Sequence, residues 1–282
     1  MRPTSQQTIL ITGATDGLGR ALATELAARG ATLFIHGRDD NRGRDTIEEI
    51  RAVSPDADLH WLRADLSSLD EVNALAEQVL SEVDELDVLV NNAGIGTTLA
   101  GDAGRLESHE GYELRFAVNY LAGYLLTRRL QALIERSAPA RVINVSSAGQ
   151  APIAFDDVML EHQYDGFRAY CQSKLAQIMF TIDLAEELRE RDVTANCLHP
   201  ATYMPTKMVL EGGVSPISSL KEGVDATLRL VVDPALDGVS GCYFNGLREA
   251  DPHPQARDPQ ARTQLRELSD RLCDLPRAVH SA

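Results

Sequence analysis

The sequence predicts an α/β fold: one doubly wound parallel sheet, three layers deep, in a single domain. Three observations carry this reading. Short apolar runs alternate with longer stretches of helical periodicity along the 282 residues. The runs are near-continuously apolar rather than alternating, which marks strands covered on both faces, as in a parallel sheet. A glycine-rich turn, TGATDGLG at 12–19, separates the first run from the first helix, and right-handed crossovers then place helices on both faces.

The elements follow in order. TILIT (8–12) is the first strand, and GLGRALATELAARG the first helix, ended by Gly30. ATLFIHG (31–37) is the second strand, with a helix through TIEEIRAV. LHWLRAD (59–65) is the third, and SSLDEVNALAEQVLSEV opens on serine caps and continues as a helix. LDVLVNNAG (86–94) is the fourth strand, residues 109–135 carry helical periodicity, and RVINVSS (141–147) is the fifth. A helix covers roughly 168–190, VTANCLHP (193–200) is the sixth strand, GVDATLRLVVD is helical and GCYFNG (241–246) is a last strand. The proline- and charge-rich EADPHPQARDP (249–259) reads as an exposed connector to a helix at 260–272, within a C-terminal extension at 249–282. No linker or repeat divides the chain, so residues 1–282 form one domain, with a substrate loop around 201–222.

Composition excludes several classes. Apolar residues make up 44%, enough for a sizeable core, and 27 basic against 42 acidic side chains leave a net charge of −15. That balance argues against a nucleic-acid surface, which needs a basic stripe, and for a self-repelling soluble protein. The four cysteines, Cys171, Cys197, Cys242 and Cys273, are widely spaced and form no CxxC. They read as reduced thiols, mostly in the core, in a cytoplasmic compartment. The apolar run in MRPTSQQTILITG is too short for a signal peptide, and no membrane-spanning run of about 20 apolar residues exists.

Gly13, Gly17 and Gly19 lie between strand and helix. Small residues there let the backbone approach a pyrophosphate, and the helix N-terminus adds free N–H groups and a positive dipole end. Their spacing departs from GxGxxG. The second strand ends at Gly37 and Arg38, with no acidic residue at its tip. A guanidinium suits a 2′-phosphate through charge-assisted bonds, so the expected cofactor is NADP(H) rather than NAD. The alternative is that Arg38 points to solvent and Asp39 binds the ribose. In AYCQSK, Tyr170 and Lys174 share a helix face at i, i+4. A tyrosine with a pKa near 10 becomes an acid/base near neutrality when phenolate is favoured by about 3 units, roughly 4 kcal/mol. A cation one turn away acts in that direction.

Together these motifs resemble the short-chain dehydrogenase/reductase family over nearly the whole chain. Its TGxxxGxG matches Thr12 to Gly19, its NNAG matches Asn91, Asn92, Ala93 and Gly94, and its YxxxK matches Tyr170 and Lys174. Its strand-end serine matches Ser147 and its helix asparagine Asn119, in FAVNYLAGYLLT. VNYLAGYLLT, SKLAQIMFT, VTANCLHP and SGCYF resemble in particular the retinol-dehydrogenase-like and protochlorophyllide-reductase-like branch. The resemblance implies a Rossmann fold and a catalytic set of Ser147, Tyr170, Lys174 and Asn119. In it Tyr170 is the general acid/base, Lys174 bonds the nicotinamide ribose, Ser147 bonds the substrate oxygen and Asn119 holds a relay water. It also implies cofactor contacts from Gly13, Thr15, Asp16, Gly17, Leu18 and Gly19 in the turn. Asp65 and Leu66 would lie near the adenine, and Asn92, Ala93 and Gly94 toward the adenosine ribose and nicotinamide. Asn91 is either a turn-stabilising amide or a contact.

The chain departs from the family pattern in two places. Between Ser147 and Tyr170 lie 22 residues, more than is common, and this insertion shapes the substrate mouth. After the sixth strand HPATYMPTKM has Ala201 for the usual glycine and Pro205 at the usual threonine. Pro200 and Thr202 are the expected carboxamide contacts there, with Thr206 as an alternative, and His199 is a structural strand-end residue. Met204, Met208, Val209, Leu210, Ile217 and Leu220 give the segment 203–220 the character of a mobile apolar lid, or else of a dimer contact. The expected activity is interconversion of a carbonyl and an alcohol on an apolar small molecule. Rival readings are an epimerase or dehydratase using bound nicotinamide transiently, and a non-catalytic regulator, which would not need Ser147, Tyr170 and Lys174. Family members pair through the helices at 109–135 and 168–190, so a homodimer or homotetramer is expected.

Overall fold

Seven short apolar strands run parallel and side by side in the computed structural model, which describes residues 1–97 and 104–276. The strands are β1 (Thr8–Ile11), β2 (Thr32–Gly37), β3 (Leu59–Arg63), β4 (Val88–Asn91), β5 (Ala140–Val145), β6 (Val193–His199) and β7 (Tyr243–Asn245), with β8 (Arg248–Ala250) returning antiparallel at the edge. Their order is β3-β2-β1-β4-β5-β6-β7-β8. β1 pairs with β2 on one side (Leu10 opposite Phe34) and β4 on the other (Leu10 opposite Leu89). Successive crossovers leave β1 in opposite directions there, and the crevice at such a reversal is where α/β sheets take ligands.

Alternate strand residues supply two cores. Ile9, Ile11, Leu33, Ile35, Val88 and Val90 pack on one face with Leu22 and Leu26 of α1 (Gly17–Ala27). That face also carries Ile50 of α2 (Asp40–Val53). Leu10, Phe34, Leu89 and Val142 pack on the other, beneath α3 (Leu69–Glu82) and the helices that follow β4 and β5. Helix starts follow the expected chemistry. Ser68 caps α3 through the Glu71 N–H, and Asp39 caps α2 by accepting from Asn41 and Arg42.

The predicted helix at 109–135 begins later. Gly111 has φ +81° and turns the chain, so helix starts only at α4 (Leu114–Phe116), capped by Glu113. It widens into a π-turn at Ala117–Leu121 and continues as α5 (Ala122–Arg136). α6 is Gly166–Glu187, capped by Asp165. The predicted substrate loop is not all loop: it contains α7 (Lys207–Glu211) before α8 (Leu220–Val232). Several predicted strands also run too far. The fourth ends at Asn91, because Asn92 turns back onto β1, where its side-chain amide bonds Thr12 O and Gly13 O. β8 was not predicted; REA carries no apolar alternation.

The C-terminal extension closes the fold with α9 (Pro259–Leu272), which lies against α6 and the tyrosines Tyr120 and Tyr124. The α5–α6 face expected to pair with a second copy is therefore covered from within the chain. The extension beyond residue 276 lies outside the described residues. All four cysteines are unpaired, and Cys273 is buried at the end of α9. Among the described residues no helix is long and apolar enough to cross a membrane.

Packing is close where α1 meets β1. A β-carbon at Gly19 would stand 2.3 Å from Gly13 O and 2.5 Å from Asn92 Nδ2. Gly19→Ala is expected to destabilise the protein by about 1–3 kcal/mol, despite the better helix propensity of alanine. Urea denaturation checks this; a variant as stable as the native chain would show that the turn relaxes freely.

Candidate active site

The carboxyl ends of the strands bring the sequence-predicted residues to one edge of the sheet. The glycine-rich turn leaves β1 with Gly13 at φ +65° and Gly17 at φ +47°, conformations that suit glycine. Thr12 Oγ1 accepts from the N–H groups of Asn92 and Ala93, so the ends of β1 and β4 are tied. Asp16 caps α1 through the Gly17 N–H at 2.6 Å and pairs with Arg42 at 2.8 Å, so its carboxylate is engaged within the protein. Arg42 also reaches Thr15 O. Leu18 is buried in the α1 core. The turn thus presents backbone rather than side chains.

On the β2–β3 side, Arg38 is exposed at the tip of β2, and its charge acts on the nearby Asp65. Burial pushes the Asp65 carboxyl up, but bonds from Ser67 N and Oγ, with Arg38, bring it below its ordinary value. Leu66 is buried behind it. Asp39 is committed to its helix cap. His36 was not singled out from the sequence, yet it anchors this side. Its Nδ1 accepts from Gly13 N at 3.2 Å and its Nε2 donates to Ala64 O at 3.1 Å. That pattern requires neutral imidazole, and burial lowers its pKa to about 4. A histidine inside an apolar strand was the available signal.

On the other side of the crevice lie Ser147, Tyr170, Lys174 and Asn119. Ser147 follows β5 and is nearly buried, with its hydroxyl accepting from Gly149 N. A β-carbon at Gly149 would lie 3.5 Å from Ser147 Oγ and 3.7 Å from Tyr170 Cε1, so the two side chains flank that glycine. Lys174 is 4% exposed, and its ammonium donates to Val145 O and Gln177 Oε1, each at 2.9 Å. Among the described residues the third N–H has no partner, and a β-carbon at Gly94 would stand 3.5 Å from Nζ and 3.3 Å from Asn119 Oδ1. Gly94 thus leaves open the space beside that N–H. Asn119 sits in the π-turn, a distortion frequent at functional sites. Its Oδ1 accepts from Ile95 N, and its Nδ2 donates to Ile95 O and Ser173 Oγ. Asn91 Nδ2 donates to Thr127 Oγ1 and Asn144 Oδ1.

The electrostatics differ from expectation at one point. Lys174 Nζ is 5.8 Å from the Tyr170 ring centroid, and its bonds go elsewhere. Burial pushes the Tyr170 hydroxyl above its ordinary pKa, opposed by a bond with Ser147 and reinforced by Cys171 and Tyr203. Burial also lowers Lys174 to about 7. A lysine that is partly neutral near pH 7 gives phenolate less support than a permanent charge.

The segment after β6 holds its two threonines in different places. Pro200 is buried; Thr202 is exposed, with its hydroxyl on His199 Nε2 at 2.9 Å. Thr206 instead lies against the turn, where a β-carbon at Gly17 would be 2.9 Å from its Cγ2. Tyr203 takes φ +47° and Met208 lies over Gly96.

The short chain dehydrogenase family model matches residues 7–212. Retinol dehydrogenase 14 of Homo sapiens is 34% identical, across 95% of this chain and 87% of that protein. Retinol dehydrogenase 13 of Mus musculus is 34% identical, across 96% and 85%. A crystal structure of an uncharacterised protein from Mycobacterium paratuberculosis superposes with a TM-score of 0.78 and 26% identity, covering 97% of this chain and 96% of that one. With its sheet, its turn and its clustered strand-end residues, the chain belongs to the short-chain dehydrogenase family and to its retinol-dehydrogenase-like branch.

Proposed function

We propose that this oxidoreductase interconverts a carbonyl and an alcohol on an apolar small molecule, using NADP(H). The observation that carries the reading is the meeting of Ser147, Tyr170 and Lys174 across the open space at Gly94 from the glycine turn. A nicotinamide cofactor, when bound, supplies or accepts the hydride. The N-terminal dipole end of α1 and the absence of side chains at Gly13, Gly17 and Gly94 suit its pyrophosphate and ribose. The third N–H of Lys174 would hold the ribose. Ser147 Oγ donates to the substrate oxygen and Tyr170 exchanges the proton with it. The raised pKa keeps Tyr170 protonated near neutrality, loaded to donate as an alcohol forms. Asn119 fixes Ile95 and Ser173, and the second lone pair of its Oδ1 is available to a relay water.

Arg38 supports NADP(H) over NAD, because it stands exposed at the β2 tip while the rival Asp39 is spent on the α2 cap. An apolar substrate is supported by the rim beside Tyr170. Tyr203, near enough to act on Tyr170, is exposed, as are Met208, Leu210 and Ile217 of the same segment and Phe167 at the start of α6. The retinol dehydrogenase names of the relatives, retinol being a long apolar alcohol, point the same way. Four unpaired cysteines fit a reducing, cytoplasmic setting.

Titration of NADPH and NADH against the native chain and Arg38→Asp tests the cofactor. NADPH is expected to bind more tightly to the native chain and to lose most of that preference in the variant. Equal native affinities would overturn the assignment.

Tyr170→Phe removes one hydroxyl and keeps the ring. Turnover of an apolar ketone or alcohol, followed by nicotinamide absorbance, is expected to fall by at least about 10²-fold with NADPH binding little changed. Native turnover in the variant would remove Tyr170 as proton donor.

Lys174 links pH to stability. Its pKa falls from 10.5 to about 7 on folding, so unfolding takes up a proton between those values and stability rises with pH across that window. Below about pH 7 the burial cost is fully present. Lys174→Met removes this titration, so the native chain should lose ground to the variant as pH falls from about 9 to about 7, by at most about 1.4 kcal/mol per unit. Urea denaturation of both proteins at each pH measures the gap; a gap independent of pH would refute the depressed lysine.

A further inference from the structure

A row of buried amides runs behind Lys174 and leaves one acceptor unmet. Thr127 Oγ1 donates to Gly123 O at 2.7 Å, so its proton is committed and it accepts from Asn91 Nδ2 at 2.9 Å. Thr181 Oγ1 likewise donates to Gln177 O at 2.7 Å and accepts from Asn144 Nδ2 at 2.9 Å. Asn144 therefore turns its Oδ1 to Asn91, whose second N–H bonds it at 2.9 Å. These commitments orient both amides. Asn91, 3% exposed, is left with a buried Oδ1 that has no donor among the described residues. A buried acceptor of this kind is costly and calls for a partner.

A second unmet group faces the same place. Gln177, 4% exposed, accepts at Oε1 from the Lys174 ammonium. An ammonium only donates, so the carboxamide is oriented with Nε2 away from the lysine, and Nε2 has no partner among the described residues. Asn91 and Gln177 both border a cavity of about 10 Å³, together with Thr12, Asn119 and Gly123. That is room for one water molecule. Neither Lys174 nor Gly94 borders it, so it lies behind the lysine and apart from the open space at Gly94. A β-carbon at Gly123 would stand 3.5 Å from Asn91 Oδ1, so this glycine of α5 keeps the cavity clear.

We propose that the cavity binds one water molecule, which donates to Asn91 Oδ1 and accepts from Gln177 Nε2, and that Gln177, so anchored, is a positioning residue for Lys174. The water holds the carboxamide with Oε1 against the ammonium. Gln177 Oε1 and Val145 O then take two of the lysine's N–H groups and leave the third for the space at Gly94. A lysine stem is flexible, and a fixed acceptor selects one arrangement of it. The same bond favours the charged form, which burial opposes. The inference rests on the reading of Lys174 as the lysine of the active site.

The chain has three lysines, and Lys207 and Lys221 are exposed ion-pair partners. NMR of protein labelled at lysine Cε therefore follows the Lys174 titration without cofactor or turnover, and Lys174→Met assigns its signal. The titratable groups facing Lys174 among the described residues are Tyr170 on its own helix and His199 at the end of β6, and the variants keep both. A high-resolution crystal structure of the native chain is expected to show one ordered water bonded to both Asn91 Oδ1 and Gln177 Nε2; a dry cavity overturns the proposal. Gln177→Met keeps a side chain of similar length without the acceptor. The Lys174 midpoint is then expected to fall from about 7 by about one pH unit or more. Gly123→Ala puts a methyl group into the cavity and keeps Gln177. It is expected to expel the water and lower the midpoint by a smaller amount, and it carries the test should Gln177→Met not fold. A native midpoint in either folded variant overturns the proposal. NADPH affinity, measured alongside, separates the two readings. A lowered midpoint with native affinity supports the water and Gln177 and instead removes Lys174 as the ribose contact.

Discussion

A hydrogen-bonded clamp between the ends of β1 and β4 is the constraint on which the site depends. Thr12 Oγ1 takes the N–H groups of Asn92 and Ala93, while the Asn92 amide reaches back to Thr12 O and Gly13 O. The two strands leave the switch point toward different crossovers, so without the clamp the glycine turn and Gly94 would not face one crevice. The clamp works only because α1 approaches within van der Waals distance of the turn, which a side chain at Gly19 forbids. His36 extends the same fixation sideways, from Gly13 to Ala64 beside Asp65. Its low pKa keeps one ring nitrogen an acceptor and the other a donor throughout the physiological range.

The other side of the crevice is built against stability. A lysine nearly free of solvent loses hydration, and two neutral acceptors, Val145 O and Gln177 Oε1, only partly replace it. A purely structural site would place an apolar residue there. Tyr170 pays a related cost, its hydroxyl held in the neutral form by burial. Burial shifts both groups toward their neutral forms beside an open space at Gly94, and perturbed groups of this kind cluster at functional sites. Neighbouring helices support the arrangement: Ser173 Oγ bonds Tyr170 O, and Asn119 grips Ser173 from the π-turn.

The long insertion after Ser147 is held by polar anchors rather than by a core of its own. Arg115 is fully buried, donating to Gly96 O, Thr97 O and the Tyr164 hydroxyl, while Tyr164 bonds Glu113. The insertion is thereby fastened to the turn after Gly94. Gln255 and His253 fasten its other end to the C-terminal extension. Two parts of the chain remote in sequence therefore set the walls of one mouth.

Local pattern was enough for much of this protein. Continuous apolar runs, a glycine turn between strand and helix, and YxxxK behind a strand-end serine depend on nearest neighbours, so the parallel sheet and the clustered edge were legible in the amino-acid order. The start of α4 was misread because the helical periodicity that follows was carried back across HEGYE (109–113), where Gly111 turns the chain and Glu113 caps the helix. The engagement of Asp16 and Asp39 in caps, the Thr206 approach to Gly17 and the His36 bridge depend on distances between strands that no spacing encodes. The sign of the Tyr170 shift was decided by tertiary structure, since burial outweighs the opposing bond with Ser147. The fate of the α5–α6 face was decided there too. Its apolar stripe is visible in the sequence, but whether a second copy or α9 covers it depends on where a helix more than 70 residues away in the chain comes to lie.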